Sequence, residues 1–425
     1  MRQLLAVILL SVVVLLPAST WATADHFLVT SLTPDLIMLS TNQGTYSTNS
    51  LVFFGEDGVL LVDTQSEGDR EALRAFVDSL GLGAAKYIIN THRHIEHIGG
   101  NDLFGPDPVI IAHRLFPEKL LRGTYVFSEY PPETYPDITF ADSLELRFNG
   151  ETIRMVDIAG SHDDNEIMVH FRDHKVAHVS SVVNGFNLPS VDKDGNVLEF
   201  EPQVRRLMEL LPEDVRLVSG HNGHATGFDF VGTWGQLGPY ADMLHSTVET
   251  VRQGLAEGKD VEKLQDEGVL DGFEDYAGSY VGTDDWIKYV AKALTDTAGP
   301  RKDICGPVFD AWKSGGTDAA VSLYRELATG DPEEYDATEN TLLNIGFKLF
   351  GRGLYEDAAA FLKGSAELYP DAEYGFYTHY VLGKCYQQLG RLDEALEHAR
   401  ESTRLNPDFV GASAFVSELT GEPSD

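Results

Sequence analysis

The sequence contains few cysteines and few positive charges, and each shortage excludes a class of protein. Only two cysteines, Cys305 and Cys385, occur in 425 residues. Two are too few for a disulfide framework, although a single bridge between them stays possible. The 67 acidic residues outnumber the 32 lysines and arginines, so the formal net charge is −35. Such a field repels nucleic acid and anionic lipid, and we expect neither as a partner.

The sequence also has little that could cross a membrane. The apolar run Leu4–Leu16 falls short of the roughly 20 residues that span the hydrocarbon core. It follows Arg2, and small residues that end at Ala24 come after it, which is the layout of a secretory signal peptide. We therefore expect residues 1–24 to be removed, no membrane insertion afterwards, and a periplasmic or secreted protein.

Residues 25–245 carry a pattern of many strands and few helices. Two apolar runs, 51–54 and 59–63, flank Asp57-Gly58 and predict a hairpin. Leu73, Phe76, Val77 and Leu80 fall on one face of a helix that Gly81 can end. Further strands are predicted at 87–90, 108–113, 144–148, 152–158, 167–171, 175–181 and 215–221. This pattern favours two sheets with helices outside them.

The remainder of the chain reads as helical. Helices are predicted at Tyr240–Gly258 and Val261–Gly272, which places a helical extension at residues 246–300. Residues 301–425 contain a repeat in which four positions recur 37 residues later: Gly346, Gly353, Ala358 and Pro370, then Gly383, Gly390, Ala395 and Pro407. The pattern resembles the tetratricopeptide repeat. Such an all-α repeat domain could bind a protein or peptide partner, or simply cap the preceding domain.

Residues 91–100, THRHIEHIGG, place three histidines around one glutamate directly after a predicted strand. Neutral imidazoles are ligands suited to Zn²⁺, and a tight loop can direct several of them to one point. Gly99 and Gly100 allow the backbone to turn there. The loop therefore predicts a metal site before any family is considered.

Four motifs occur in an order that resembles the metallo-β-lactamase superfamily. They are LLVDTQ at 60–65, THRHIEHIGGN at 91–101, His162 after Ala159-Gly160-Ser161, and SGHNG at 219–223. The resemblance covers about residues 25–245. It implies an αββα four-layer sandwich of the α/β class, with the metal site at the edge of the two sheets.

The resemblance also implies the roles of individual residues. A first metal would be bound by three histidines, which leaves its fourth position to water: His92, His94 and His162. A second metal would have two histidines and a carboxylate: His97, His221 and Glu96. Asp63 would orient the loop and a ligand histidine without touching metal. The implied cofactor is zinc, as one or two ions.

Three positions depart from the family pattern. Glu96 stands where the family normally has aspartate, and its carboxylate reaches about 1.5 Å further from the backbone. Ser180-Ser181 stands where many relatives have Gly-Asp, whose aspartate bridges both metals, although one lactamase subclass binds two zincs with a serine in place of that aspartate. Asp163 follows His162 where a threonine is usual. The first two departures leave the second metal as the open question.

The function expected from these residues is that of an exported metal-dependent hydrolase. Metal-bound water would attack a carbonyl or ester-type electrophile in a small-molecule substrate, such as a lactam, lactone, thioester or related ester, and Glu96 could take the proton. The alternative is a degenerate domain of the same fold that binds a partner through its repeats. Iron-dependent oxidation is a third possibility, which needs an aspartate where Ser181 stands.

Overall fold

The structure is a computed structural model that describes most of the chain after the expected signal peptide. The described residues are 26–41, 47–104, 108–117, 134–191, 195–222, 231–278, 281–296, 302, 304–330, 334–335, 337–351, 353–372, 374–407 and 409–421.

Seven strands form the first sheet, in the order in which they occur along the chain. The first four pair antiparallel, and β4 to β7 pair parallel. The strands are β1 Phe27–Ser31, β2 Leu36–Thr41, β3 Asn49–Gly55, β4 Gly58–Val62, β5 Ala85–Ile89, β6 Val109–His113 and β7 Ile138–Phe140. The predicted hairpin is β3 and β4.

Six strands form the second sheet, in the order β13-β12-β11-β10-β9-β8. All neighbours pair antiparallel except β11 and β12, which are parallel. The strands are β8 Ser143–Phe148, β9 Glu151–Asp157, β10 Ile167–Phe171, β11 Val176–His178, β12 Arg216–Val218 and β13 Val231–Thr233. The predicted turn between β8 and β9 has Asn149 and Gly150 at φ 51° and 79°.

The two sheets pack face to face and bury one continuous core between them. Side chains alternate along each strand, so Leu51 and Phe53 of β3 face the second sheet. Val52, between them, packs instead against helix α1, Arg70–Ser79, on the outer face. Helices also cover the outer face of the second sheet. The chain therefore has the four αββα layers that the sequence predicts.

The helices on the second sheet extend well beyond residue 245, where the sequence analysis ended the sandwich domain. Trp286 and Ile287 share a buried core with β10 and β11, because the apolar faces of these helices cover the sheet. These helices are α3 Phe200–Leu210, α4 Leu237–Ala256, α5 Val261–Asp266 and α6 Thr283–Thr295; a single helical turn after β5, Ile95–Ile98, is α2. Four described 3₁₀ segments accompany the fold at Asn101–Phe104, Val197–Glu199, Trp234–Gln236 and Asp271–Tyr276.

Several element boundaries differ from the sequence expectation. Strand β11 ends at His178 because Ser180 adopts the left-handed φ of 53°, which breaks an extended strand. The helix predicted to run to Gly272 ends at Asp266 and gives way to a 3₁₀ segment. Strands β1, β2, β7 and β13 had not been predicted. Of these, β2 is buried at all six positions and so lacks the alternation that marks a strand.

The C-terminal region consists of helices with a core of their own. They are α7 Cys305–Gly330, interrupted at Gly316, α8 Glu339–Gly351, α9 Tyr355–Leu368, α10 Gly375–Gln388, α11 Leu392–Leu405 and α12 Val410–Thr420. The repeat has a physical basis, since Gly353 and Gly390 both follow a helix at φ 76° and 73°. Cys305 and Cys385 are both buried, and no disulfide joins them. Among the described residues, no helix is long and apolar enough to cross a membrane.

Candidate metal centre

The centre lies where strand ends from both sheets meet. Because β4 and β5 are parallel neighbours, their carboxyl ends place Asp63 beside the loop that starts at Thr91. The parallel pair β11 and β12 likewise brings the segment after His178 close to His221. A hydrogen bond from Ile167 N to Thr91 O, 2.9 Å long, joins the two sheets at this edge. Ligands of α/β sheets commonly lie at such carboxyl ends.

The six predicted metal ligands form two groups of three at this edge, with the ligand atoms of each group within 4.8 Å of one another. The groups are His92, His94 and His162, here called the first set, and Glu96, His97 and His221, the second set. Nε2 of His162 lies 3.2 Å from Nδ1 of His94, and Nε2 of His97 lies 3.2 Å from Nε2 of His221. Donors on one tetrahedral zinc, with bonds near 2.0 Å, are roughly 3.3 Å apart, so both spacings fit a metal.

The protonation of the rings also fits a metal. Burial, and then the neighbouring rings of His97 and His94, hold the pKa of His92 well below its ordinary value. Burial and the His97 ring lower the pKa of His221 to about 3. Nε2 of His92 is buried and has no hydrogen-bond partner, although buried polar atoms are normally paired. Neutral imidazoles with an unpaired nitrogen are what a divalent metal requires.

The ring nitrogens that face away from the ligand groups have fixed partners. Nδ1 of His162 donates to the Ser190 carbonyl and Nδ1 of His221 to the Ser47 carbonyl, both at 2.8 Å. Because a carbonyl can only accept, the opposite nitrogen, Nε2, carries the lone pair. Both carbonyls belong to loops to which the sequence assigned no role at the metal. Backbone acceptors of this kind leave no trace in a sequence.

Asp63 has the contacts that an orienting residue needs. Its carboxylate accepts from Nδ1 of His97 at 2.7 Å, and from the backbone and hydroxyl of Thr91 at 2.8 and 2.7 Å. It adopts φ 61°, which is uncommon for aspartate. One side chain thus fixes both the start of the histidine loop and a ring of the second set.

A second buried carboxylate lies behind the first set. Oδ2 of Asp163 is 3.2 Å from Nε2 of His94 and 3.1 Å from the guanidinium of Arg93. Arg93 is only 2% exposed and Asp163 is fully buried. The sequence marked Asp163 as a departure from the family but gave it no role. A carboxylate against a ligand histidine is a common outer partner in metal sites.

Ser181 and Ser180 both contact a buried acid, Glu166. The Oγ of Ser181 is buried and has no hydrogen-bond partner, while its N–H donates to Glu166 at 3.1 Å. Ser180, the preceding residue, donates its hydroxyl to the same Glu166 oxygen at 2.9 Å and lies 3.3 Å from Nδ1 of His92. Burial raises the pKa of Glu166 to about 8. The sequence analysis missed Glu166, which no motif singles out.

Glu96 lies between the two sets. Its Oε1 is 3.7 Å from Nδ1 of His94, and its carboxylate also belongs to the group with His97 and His221. Burial opposes its ionisation, but the side-chain interaction with His94 and the nearby rings of His97 and His221 hold the pKa of Glu96 well below its ordinary value. Glu96 is therefore a carboxylate at neutral pH.

An αββα sandwich with two histidine-rich ligand groups at one sheet edge defines a metal-site domain of the metallo-β-lactamase type. Residues 44–221 match the model of the metallo-beta-lactamase superfamily, and residues 337–408 match a tetratricopeptide repeat model. The chain thus carries a metallo-β-lactamase superfamily domain followed by tetratricopeptide repeats. Among curated protein sequences, none matches it. Fold, family match and ligand groups together support a metal-dependent hydrolase.

Solved structures resemble the chain at low sequence identity. A metallo-beta-lactamase from Pontibacter korlensis is 18% identical, with a TM-score of 0.44, over 52% of this chain and 99% of its own. A sec-alkylsulfatase from Pseudomonas sp. is 15% identical, with a TM-score of 0.49, over 93% of this chain and 66% of its own. A double mutant of the sec-alkyl sulfatase PisA1 has the same coverage and identity and a TM-score of 0.50. At such identities the likeness concerns the fold alone.

Proposed function

We propose that the chain is an exported zinc-dependent hydrolase that cleaves a carbonyl or ester-type bond in a small molecule. The observation that carries the proposal is the convergence of five histidines and Glu96 into two compact groups at one sheet edge. A divalent metal held there supplies Lewis acidity toward a substrate oxygen and lowers the pKa of water. Imidazole and carboxylate donors in this number suit zinc.

The residues of the chain have distinct parts in this proposal. His92, His94 and His162 would hold one ion through three imidazoles, so that water and a further ligand could complete its coordination. Glu96 is ionised and lies 3.7 Å from a ligand nitrogen of that set. One carboxylate oxygen could therefore bind metal while the other accepts a proton from attacking water, since a general base needs both reach and the right protonation state.

Metal analysis combined with a hydrolysis panel tests the proposal. Purified protein is assayed for bound metal and for turnover of nitrocefin, a lactone, a thioester and a secondary alkyl sulfate, which cover several bond types that one fold can serve. We expect at least one zinc per chain and turnover of at least one substrate. His94→Ala should reduce that turnover at least about 100-fold, because it removes a ligand.

His245→Ala is the matched control, since His245 is exposed on α4, outside both ligand sets. It should leave metal content and turnover unchanged. The proposal fails if apo-protein binds no divalent metal, or if His94→Ala hydrolyses every substrate as well as the parent protein does.

The repeats support a second proposal, a binding role. Phe347 and Tyr374 are 47% and 44% exposed on the repeat helices and their connections, and stacked helix pairs commonly present such surfaces to proteins. A chain that folds and binds no metal would favour this role over catalysis.

Export is proposed from the signal-peptide pattern at residues 1–24. N-terminal sequencing of protein recovered from the periplasm or the medium tests it, and we expect the mature chain to start directly after Ala24.

A further inference from the structure

The two ligand sets are adjacent but contain only one carboxylate between them. The rings of His92 and His97, one from each set, have centroids 4.3 Å apart. Five of the six residues in the sets are histidines, and Ser181, which lies against Gly220 beside His221, is uncharged. Two divalent ions this close together would repel each other strongly unless a negative group lay between them. The position of that negative charge therefore decides whether both sets can bind a metal ion at the same time.

We propose that Glu96 is shared between the sets, with its carboxylate serving a metal in each. The inference rests on the proposed function, because it requires that the sets hold metal. Oε1 of Glu96 is 3.7 Å from Nδ1 of His94, close to the spacing of about 3.3 Å between donors on one zinc. The same side chain lies within 4.8 Å of the ligand atoms of His97 and His221.

The length of glutamate explains this position. His94 precedes the single helical turn α2, and Glu96 and His97 belong to that turn. Glu96 thus lies next to His97 of the second set in the chain, and its carboxylate reaches back to His94 of the first set. An aspartate would end about 1.5 Å nearer the backbone, so it would reach the adjacent second set without extending to His94.

Ser181 provides no negative charge of its own that could be shared between the sets. Its hydroxyl is buried without a partner, and Gly220 lies against it, since a Cβ added there would come within 2.9 Å of Oγ. The side chain is too short to supply charge to either set. Glu96 would therefore supply the negative charge between the sets that the neutral Ser181 does not.

Metal titration in single-set variants tests the sharing directly. His221→Ala disables the second set, so the apo-protein should bind one cobalt(II) or zinc ion through the first set. Adding Glu96→Gln, which keeps the shape and removes the charge, should weaken that remaining site at least about tenfold. Competition with a chromophoric chelator measures the affinity, and the cobalt absorption bands report the change in ligands.

Asp164→Asn in the same His221→Ala background is the charge control. Asp164 is a partly exposed acid two residues from His162, so its loss should leave the affinity within about twofold. With both sets intact, Glu96→Asp should weaken the first site, and adding Ser181→Asp should restore it. Circular dichroism checks that each variant is folded.

The inference is overturned if Glu96→Gln leaves the affinity of His221→Ala protein unchanged, because Glu96 would then serve the second set alone. It is also overturned if Ser181→Asp fails to restore the first site of Glu96→Asp. Failure of the proposed function is a separate result, in which the parent apo-protein binds no metal at all.

Discussion

Each histidine of the two sets directs one ring nitrogen toward the candidate metal centre. Its other ring nitrogen contacts a partner elsewhere in the fold. Backbone carbonyls fix His162 and His221, and Asp63 fixes His97. Nδ1 of His92 lies 3.1 Å from the hydroxyl of Thr91. Such partners set the ring orientation and the tautomer before metal arrives. For His94 the partner on the side away from the other ligands is a charged group, the carboxylate of Asp163.

Asp163 should therefore affect both metal affinity and stability. We expect Asp163→Asn to weaken metal binding by the first set about 10- to 100-fold, because His94 loses its carboxylate partner. It should also destabilise the protein by about 3 kcal/mol, because the buried guanidinium of Arg93 loses its ion pair with Asp163. Chelator competition and urea denaturation measure the two effects.

Asp164→Asn again serves as the control, because it removes one charge from the same loop. A loss of affinity in Asp164→Asn equal to that in Asp163→Asn would mean that the general field of the loop matters and the contact with His94 does not.

The residues of the two sets could be predicted from the sequence, whereas the groups that hold them in place could not. Histidine spacing and motif order are visible in a sequence, so the six residues that form the two sets were all singled out. The carbonyls of Ser190 and Ser47 were missed because every residue carries a carbonyl. Glu166 was missed because its role depends on the fold, which brings it beneath Ser180 and Ser181.

At the scale of elements, the histidine loop is held by close backbone packing. Gly99 has an ordinary helical φ of −61°, so a left-handed backbone does not explain the glycine at this position. A Cβ on Gly99 would instead lie 2.5 Å from the backbone nitrogen of Glu67 and 2.9 Å from the Gln65 carbonyl. The loop thus packs directly on the segment after β4, which also carries Asp63.

Gly99→Ala should consequently damage the centre without touching a ligand. Alanine would gain about 1 kcal/mol in helix propensity, but a rigid backbone contact at 2.5 Å forces the loop away and costs more, typically 1–3 kcal/mol. We expect lower stability and weaker metal binding, measured by thermal unfolding and chelator competition. Gly235→Ala, where a Cβ meets nothing within 4 Å, should be nearly neutral. Equal effects of the two changes would contradict this explanation.

A charged bridge joins three further elements at a distance from the ligand sets. His174, in the turn between β10 and β11, contacts Glu151 of β9 and lies 2.9 Å from Asp35, before β2. Burial opposes the imidazolium, but the hydrogen bonds with Glu151 and Asp35 raise the pKa of His174 above its ordinary value. Protonated His174 therefore ties the first sheet to the second.

The stability contributed by this bridge should depend on pH. A histidine pKa that is raised by folding stabilises the protein below its unfolded value, about 6.5, and the gain disappears as pH rises through the folded value. We expect His174→Asn to cost about 2 kcal/mol at pH 5.5 and clearly less at pH 9. Urea denaturation at both pH values, with exposed His245→Asn as control, measures the difference. A cost that is independent of pH would exclude the charged bridge.

At the scale of the whole molecule, the chain has separate buried cores. The core between the second sheet and its helices extends from Val156 to Ala291, and the core of the repeat helices from Ile304 to Phe415, with no residue in common. Much of this could be predicted, because the change from strand to helical patterns and the 37-residue period are local signals. The packing of α4 to α6 on the second sheet could not be predicted, because the sequence of an amphipathic helix does not show which surface the helix covers.

Separate cores predict two unfolding transitions, of which metal stabilises one. A ligand present at 100 times its Kd raises the stability of the unit that binds it by about 2.7 kcal/mol. Leu382, fully buried among the repeat helices, should lose 2–5 kcal/mol when changed to alanine, about as buried leucines do elsewhere. Calorimetry should show zinc shifting one transition and Leu382→Ala shifting only the other. If both changes move one shared transition, the repeats are a structural part of the hydrolase domain, and a binding role for them loses its main support.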